Sequence, residues 1–80
     1  MNLKIRAFGI ARDIFGEGEV AFTLSGANNV QNLKDELVKS YPEFEKLRSF
    51  SVAVNQEYQE DDFSLSDKDE VVIIPPVSGG

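Results

Sequence analysis

Near its carboxyl end the chain reads Glu70-Val71-Val72-Ile73-Ile74-Pro75-Pro76-Val77-Ser78-Gly79-Gly80, and this stretch decides the predicted fold. Residues 71–74 are all apolar, so a strand formed here would be apolar on both faces, as strands in the centre of a sheet are. Pro75 has no N–H group for a ladder hydrogen bond, which ends the strand near Ile74. We therefore predict a central last strand that continues into an extended segment.

Two stretches near the amino end alternate between apolar and polar residues, which is the period of a half-buried strand. Residues 3–8 and residues 19–24 show this alternation, and the sequence Gly16-Glu17-Gly18 between them is typical of a turn. We predict that the two stretches pair as an antiparallel hairpin with a turn region between them. Phe8 is the exception in the pattern, because it is an aromatic residue on the otherwise polar face.

The period changes to that of a helix after the loop that contains Asn28 and Asn29, either of which can cap a helix. Pro42 disfavours helical geometry at the residue before it, so the helix is expected to end near Ser40. A further short turn is predicted over residues 43–47. The apolar face of the helix is formed by Val30, Leu33, Leu37 and Tyr41.

The predicted elements after the helix complete the order of strands and helices from which the fold is inferred. Residues 50–55 alternate again, and residues 57–59 are expected to add a short edge strand. A hairpin, a crossover helix and further strands predict an α+β fold, the β-grasp or ubiquitin-like roll, with a mixed sheet and one main helix on one face. In this plan the last strand lies beside the first, next to Phe8. We expect the domain to span residues 1–76 and a flexible extended tail to span residues 77–80.

Composition excludes several classes of function. The chain has 80 residues, no Cys and no His, which leaves room for one domain and excludes thiolate metal sites, Cys nucleophiles and His-based catalysis. A net charge of −6 argues against nucleic acid and anionic membranes as partners and suits a basic protein partner. Phosphate-binding glycine motifs and a signal peptide are absent, so we expect a cytoplasmic protein with no metal and no permanently bound cofactor.

An acidic stretch over residues 60–70 leaves two interpretations open. Its carboxylates lack the glycine and the terminal glutamate of a calcium-binding loop, so a metal site is not indicated. The stretch either meets a basic partner enzyme or keeps the chain soluble.

The last residues predict chemistry at the main chain. Pro75 and Pro76 stiffen the exit from the domain, and the side chains then shrink to none at Gly79 and Gly80. A thin tip of this kind fits a narrow tunnel that excludes larger side chains. The carboxylate of Gly80 is a poor electrophile, but reaction with ATP would convert it into an acyl-adenylate that accepts sulfur or an amine. The alternative is an inert, frayed end.

Apolar surface is the second indication of function. A central last strand beside Phe8 would expose one side of Val72 and Ile74, and Tyr58 is placed to join them. Exposed apolar patches usually mark protein interfaces. Alternatively, a loop or the segment after Pro42 covers this face.

The whole chain resembles the small, sulfur-carrier subunits of molybdopterin synthase, the MoaD-like family. Three stretches carry the resemblance, and the last of them is the most specific. They are Phe8-Gly9-Ile10-Ala11-Arg12-Asp13-Ile14-Phe15-Gly16, Ala53-Val54-Asn55-Gln56, and Leu65-Ser66-Asp67-Lys68-Asp69-Glu70-Val71 continuing into Pro75-Pro76-Val77-Ser78-Gly79-Gly80.

The resemblance implies a non-catalytic carrier that forms a heterotetramer with a large catalytic subunit. It implies that an E1-like enzyme uses ATP to adenylate Gly80, that a sulfur donor protein converts it to a thiocarboxylate, and that the sulfur passes to precursor Z to form molybdopterin. The tail, Val77, Ser78, Gly79 and Gly80, would enter the large subunit. The interface expected from the exposed strand face and the resemblance together comprises Phe8, Tyr58, Val72, Ile74, Pro75 and Pro76.

Three alternatives remain open. Another β-grasp carrier would serve thiamin synthesis or tRNA thiolation through the same terminal chemistry, although Pro75-Pro76-Val77 favours molybdopterin. A ubiquitin-like modifier would end in an isopeptide bond to a lysine. An interaction module would have an inert tail.

Overall fold

The computed structural model describes residues 1–47 and 50–75, whose strands form one mixed sheet in the order β2-β1-β5-β3-β4. The predicted tail lies outside these residues, as does Pro76. The strands are β1 (Asn2–Ala7), β2 (Glu19–Thr23), β3 (Ser51–Val54), β4 (Glu57–Tyr58) and β5 (Glu70–Ile74). The helices are α1 (Gly9–Phe15), α2 (Val30–Ser40) and a 3₁₀ helix (Pro42–Lys46).

Strand β5 is central, as its apolar sequence predicts. It runs parallel to β1, where Ile5 pairs with Val71, and antiparallel to β3, where Val52 pairs with Ile73. Val71 and Ile73 are fully buried, whereas the alternate residues of β5 are half-buried on the other face. The α+β architecture predicted from the order of elements is therefore confirmed, with β1 and β2 antiparallel as expected.

Helix α1 was not predicted, because the segment between β1 and β2 was interpreted as a turn region. Ala11 and Phe15 are four residues apart and both bury their side chains in the core, which is the spacing of one helical face. Gly16 ends the helix with φ of 82° and donates its N–H to the Arg12 carbonyl at 2.8 Å. The glycines thus do turn the chain, but they follow a helix of seven residues.

Helix α2 has the predicted bounds. Its cap is Asn29, whose side-chain oxygen accepts the N–H of Asn32 at 2.8 Å. The 3₁₀ helix after Pro42 buries Phe44 completely between the ring of Phe15 and that of Phe50. One core therefore joins the helices to a single face of the sheet. Its buried members from α2 are Val30, Leu33 and Leu37.

The turn between β3 and β4 carries a local strain that a substitution should relieve. Asn55 and Gln56 have φ of 53° and 71°, as a type I′ hairpin turn requires, and glycine is preferred at the second position. Because a left-handed conformation costs a residue with Cβ about 1 kcal/mol or more, we expect Gln56→Gly to raise the free energy of unfolding by roughly that amount. Urea denaturation measures the change. Glu57→Gly, in the adjacent strand, should instead lower stability by about 0.5–1 kcal/mol; equal effects of both variants would contradict the assignment.

Candidate functional site

The face of the sheet opposite α2 carries the candidate site. Its side chains come from alternate residues of the strands, and the register places Ala53 between Val72 on one side and Tyr58 on the other. Phe8 directly follows β1 in extended conformation, with φ of −130° and ψ of 161°. Since Arg6 pairs with Val72, the next residues on the same face are Phe8 and Ile74. These five residues, Phe8, Ala53, Tyr58, Val72 and Ile74, are called the apolar patch below.

Exposure within the apolar patch is greatest for its two aromatic residues. Phe8 is 59% exposed and Tyr58 is 68% exposed, whereas Val72 and Ile74 are half-buried. Ala53 is buried beneath its cross-strand neighbours, although its alternation placed it among the outward residues. The segment after Pro42 does not cover the patch, because Phe44 packs into the core on the helix side. The structure thus brings four predicted interface residues to one uncovered region of the described chain.

The chain leaves the sheet beside this patch. Strand β5 ends at Ile74, and the half-buried Pro75 lies against Gly9, the first residue of α1. A Cβ added to Gly9, whose φ is +57°, would lie 3.7 Å from Cγ of Pro75. The last described residue is therefore held next to Phe8. The predicted interface residue Pro76 and the predicted tail residues Val77, Ser78, Gly79 and Gly80 lie outside the described residues.

Charged residues from β1, β2 and the segment before β5 form a second region of the open face. Arg6 Nε lies 3.6 Å from a Glu19 carboxylate oxygen, and both side chains are about half exposed, so this ion pair contributes little stability. A shallow groove of about 350 Å³ runs through this region. It is lined by Lys4, Arg6, Glu19, Asp67, Lys68, Asp69 and Glu70.

Part of the acidic stretch over residues 60–70 is held in place by hydrogen bonds and a buried side chain. The sequence did not predict these contacts. Asp69 accepts the Ser66 N–H at 2.8 Å and the Asn55 side-chain amide at 2.9 Å. Asn55 in turn accepts the Glu70 N–H at 3.0 Å, which ties the stretch to the β3–β4 turn. Leu65 anchors it in the core. The available signal was the pair of apolar residues in this acidic segment, Leu65 and the partly buried Phe63.

No enclosed catalytic centre is found in residues 1–47 and 50–75. Every buried side chain there is hydrophobic, so no polar side chain is held in a water-excluded site. The same residues contain no group of three His, Cys, Asp or Glu arranged to hold a metal ion. Among the described helices, none has the length and apolar character needed to cross a membrane.

Comparison with known proteins identifies the family of this chain. The sequence profile of the ThiS family matches residues 5–80. The chain belongs to the ThiS family. Its relatives include the molybdopterin synthase sulfur carrier subunit of Arabidopsis thaliana, with 36% identity covering 100% of this chain and 84% of that protein. The subunit of the same name from Chlamydomonas reinhardtii is 35% identical, and the match covers 100% of both chains.

Solved structures agree with the β-grasp fold of this ThiS-family chain. A Pyrococcus furiosus protein named for molybdopterin converting factor subunit 1 has a TM-score of 0.83 and 27% identity, over 96% of this chain and 99% of that one. Small archaeal modifier protein 1 from Methanosarcina acetivorans has a TM-score of 0.77 and 26% identity, over 99% and 96%. Subunit 1 in a Helicobacter pylori complex of molybdopterin-converting factor subunits 1 and 2 has a TM-score of 0.66 and 27% identity, covering all of both chains.

Proposed function

We propose that this chain is the sulfur carrier subunit of a molybdopterin synthase and that the carboxylate of Gly80 carries the sulfur. The observation that carries the proposal is the full-length similarity to proteins of that name from Arabidopsis and Chlamydomonas. The geometry supports it, because the apolar patch lies beside Pro75, where the described chain ends. The absence of Cys and His fits a carrier whose reactive group belongs to the main chain.

Activation needs an enzyme that brings ATP to Gly80. A carboxylate oxygen attacks the α-phosphorus of ATP and releases pyrophosphate, which leaves an acyl-adenylate at Gly80. A sulfur donor protein then delivers sulfur at the oxidation level of sulfide to the acyl carbon, and AMP leaves. The product is a thiocarboxylate with one sulfur atom in place of one oxygen. Because activation consumes ATP, the proposal places the protein in the cytoplasm.

Delivery needs the large catalytic subunit. The apolar patch and Pro75 form the docking surface, with Pro76 expected to extend it along the exit of the tail. Val77, Ser78, Gly79 and Gly80 enter the active site of the large subunit, where the lack of bulky side chains at Gly79 and Gly80 permits a narrow channel. The H. pylori complex of subunits 1 and 2 supports a partner of this kind.

Sulfur transfer completes the cycle. The thiocarboxylate sulfur attacks a carbon of precursor Z and displaces an oxygen substituent of that carbon, which forms a thioester between the carrier and the substrate. Hydrolysis of the thioester returns the Gly80 carboxylate and leaves the sulfur on the product as a thiol. A dithiolene contains two sulfur atoms and each tail carries one, so every product molecule consumes two loaded carriers. A heterotetramer with two carriers and two large subunits meets this requirement. The catalytic side chains are those of the large subunit.

Intact mass spectrometry tests the proposal. The chain is produced together with an E1-like activating enzyme and a sulfur donor protein, and its mass is compared with that of the chain produced alone. We expect an increase equal to the replacement of one oxygen by sulfur, and loss of this increase after incubation with precursor Z and the large subunit. An unchanged mass in the presence of both enzymes and ATP would contradict the proposal.

A ubiquitin-like modifier is the second candidate. The similarity to small archaeal modifier protein 1 of M. acetivorans favours it, and a modifier would use the same acyl-adenylate. The outcome differs in the acceptor, since a lysine amine would displace AMP and leave an isopeptide bond. Trypsin digestion of the cellular proteins would then yield lysines that carry residues 69–80 as a branch, because Lys68 is the last basic residue of the chain. A thiocarboxylate carrier for thiamin synthesis or tRNA thiolation would show the mass change but no transfer to precursor Z.

A further inference from the structure

A shallow cavity of about 470 Å³ lies beside the apolar patch and is lined partly by charged side chains. It opens at the end of the sheet where β1 passes into α1. Phe8 belongs both to this cavity and to the patch, so the two surfaces are continuous. The cavity, called the arginine pocket below, is lined by Arg6, Ala7, Phe8, Arg12, Gly18 and Glu19.

Arg12 is exposed at the margin of the arginine pocket. Its backbone is part of α1, where its carbonyl accepts the Gly16 N–H at 2.8 Å. Its side chain lies beside Gly18, because a Cβ added to Gly18 would be 3.7 Å from Arg12 Nε, which is an ordinary van der Waals distance. The guanidinium therefore lies over the turn that leads into β2, where a partner can reach it.

Among the described residues, the ion pairs do not engage the Arg12 side chain. They join Arg6 to Glu19 and Lys34 to Asp61, and neither includes Arg12. Arg6 and Arg12 thus face one carboxylate within the arginine pocket, which leaves a net charge of about one positive unit. This is notable in a chain whose total charge is −6. The local charge matches a single negative charge from outside the chain.

A carboxylate fits this site better than a phosphate. The planar guanidinium of Arg12 offers paired N–H donors that match two oxygens of either group, so the ligand charge decides. Glu19 in the same open cavity would repel a phosphate dianion about twice as strongly as a singly charged carboxylate. Moreover, arginine next to an exposed aromatic residue is the composition typical of hot spots in protein interfaces.

We infer that Arg12 binds a carboxylate side chain of the large synthase subunit at the edge of the interface formed by the apolar patch. This inference rests on the proposed function and adds a specific contact to it. The patch supplies apolar contact area, whereas Arg12 fixes the orientation of the carrier relative to the partner. The overall negative charge of the chain opposes acidic surfaces elsewhere, so the contact selects a partner with an acidic group at this one place.

Calorimetric titration of the chain with the large subunit tests the contact. We expect Arg12→Glu to raise Kd by at least about 30-fold, because it places two carboxylates against each other in a desolvated contact. Arg12→Gln, which keeps much of the aliphatic stem, should raise Kd by about tenfold. Lys39→Glu is the matched control: it changes the net charge equally but lies exposed on α2, on the other side of the sheet, and should change Kd less than about threefold. Thermal unfolding checks that all variants fold.

The outcomes separate this inference from the proposed function. Absence of binding by the unmodified chain would overturn the proposed function together with the contact. Tight binding of the unmodified chain with equal effects of Arg12→Glu and Lys39→Glu would overturn the contact alone. The contact would also be overturned by a different pattern. In that pattern the free chain binds inorganic phosphate, and Arg12→Gln abolishes this binding but keeps its affinity for the large subunit. A charge reversal of one acidic residue on the large subunit that restores the affinity of Arg12→Glu would confirm it.

Discussion

One alanine added after Gly80 is expected to abolish sulfur transfer and leave the domain folded. The addition converts the Gly80 carboxylate into an amide, which ATP cannot adenylate. The new carboxylate lies about 3.5 Å farther along the chain and carries a methyl side chain beside it. Since a displacement of about 1 Å at a reacting centre can cost about 100-fold in rate, we expect transfer to fall by at least that factor. The measurement is formation of molybdopterin from precursor Z by the large subunit and the extended carrier, after the carrier has been incubated with the activating enzyme, ATP and the sulfur donor protein.

The control for this prediction restores the original terminus. A second extended chain carries a cleavage site, so that a protease removes the addition after Gly80 and activity should return. Thermal unfolding should be the same for the cleaved and the uncleaved chain, because the last strand ends at Ile74 and, among residues 1–47 and 50–75, the core has no member after Ile73. Undiminished transfer by the uncleaved chain would show that the Gly80 carboxylate is not the sulfur carrier.

Replacement of Phe8 by aspartate is expected to weaken binding to the large subunit by about 30-fold or more. The side chain is 59% exposed and lies outside the buried core, so it contributes little to folding. Within an interface, loss of an aromatic anchor costs about 2 kcal/mol or more, and an unpaired carboxylate would oppose burial as well. The free energy of unfolding should change by less than about 0.5 kcal/mol. Titration calorimetry and urea denaturation give the two quantities.

Two further variants make this result specific. Ala21→Asp introduces the same charge on the same face of the sheet, but in the edge strand β2 opposite Lys4, and should leave Kd nearly unchanged. Phe44→Ala removes a fully buried ring and should cost about 3–5 kcal/mol of stability. If Phe8→Asp destabilised the domain as Phe44→Ala does, Phe8 would belong to the core and the docking surface would be wrong.

The sequence predicted the elements that have a clear hydrophobic pattern or a clear end signal. Four consecutive apolar residues indicated that β5 is central, and the cap at Asn29 and the break at Pro42 bounded α2 correctly. It did not predict α1, because Ala11 and Phe15 mark only one turn of a helical face within a segment rich in turn residues. The hydrogen bonds that join Asn55 to Asp69 and Glu70 were also missed, since they link residues about fifteen positions apart.

By itself, the sequence determined the type of every strand and of α2, but not of α1, together with the order of the strands along the chain and the polar or apolar character of most strand faces. These properties follow from local periodicity and from backbone restrictions at proline, glycine and asparagine. Only the tertiary structure decided that Phe8, Tyr58, Val72 and Ile74 share one uncovered surface and that Arg12 lies over Gly18 beside it. Such neighbours come from distant parts of the chain, and strand register and the close packing of α1 on the sheet bring them together.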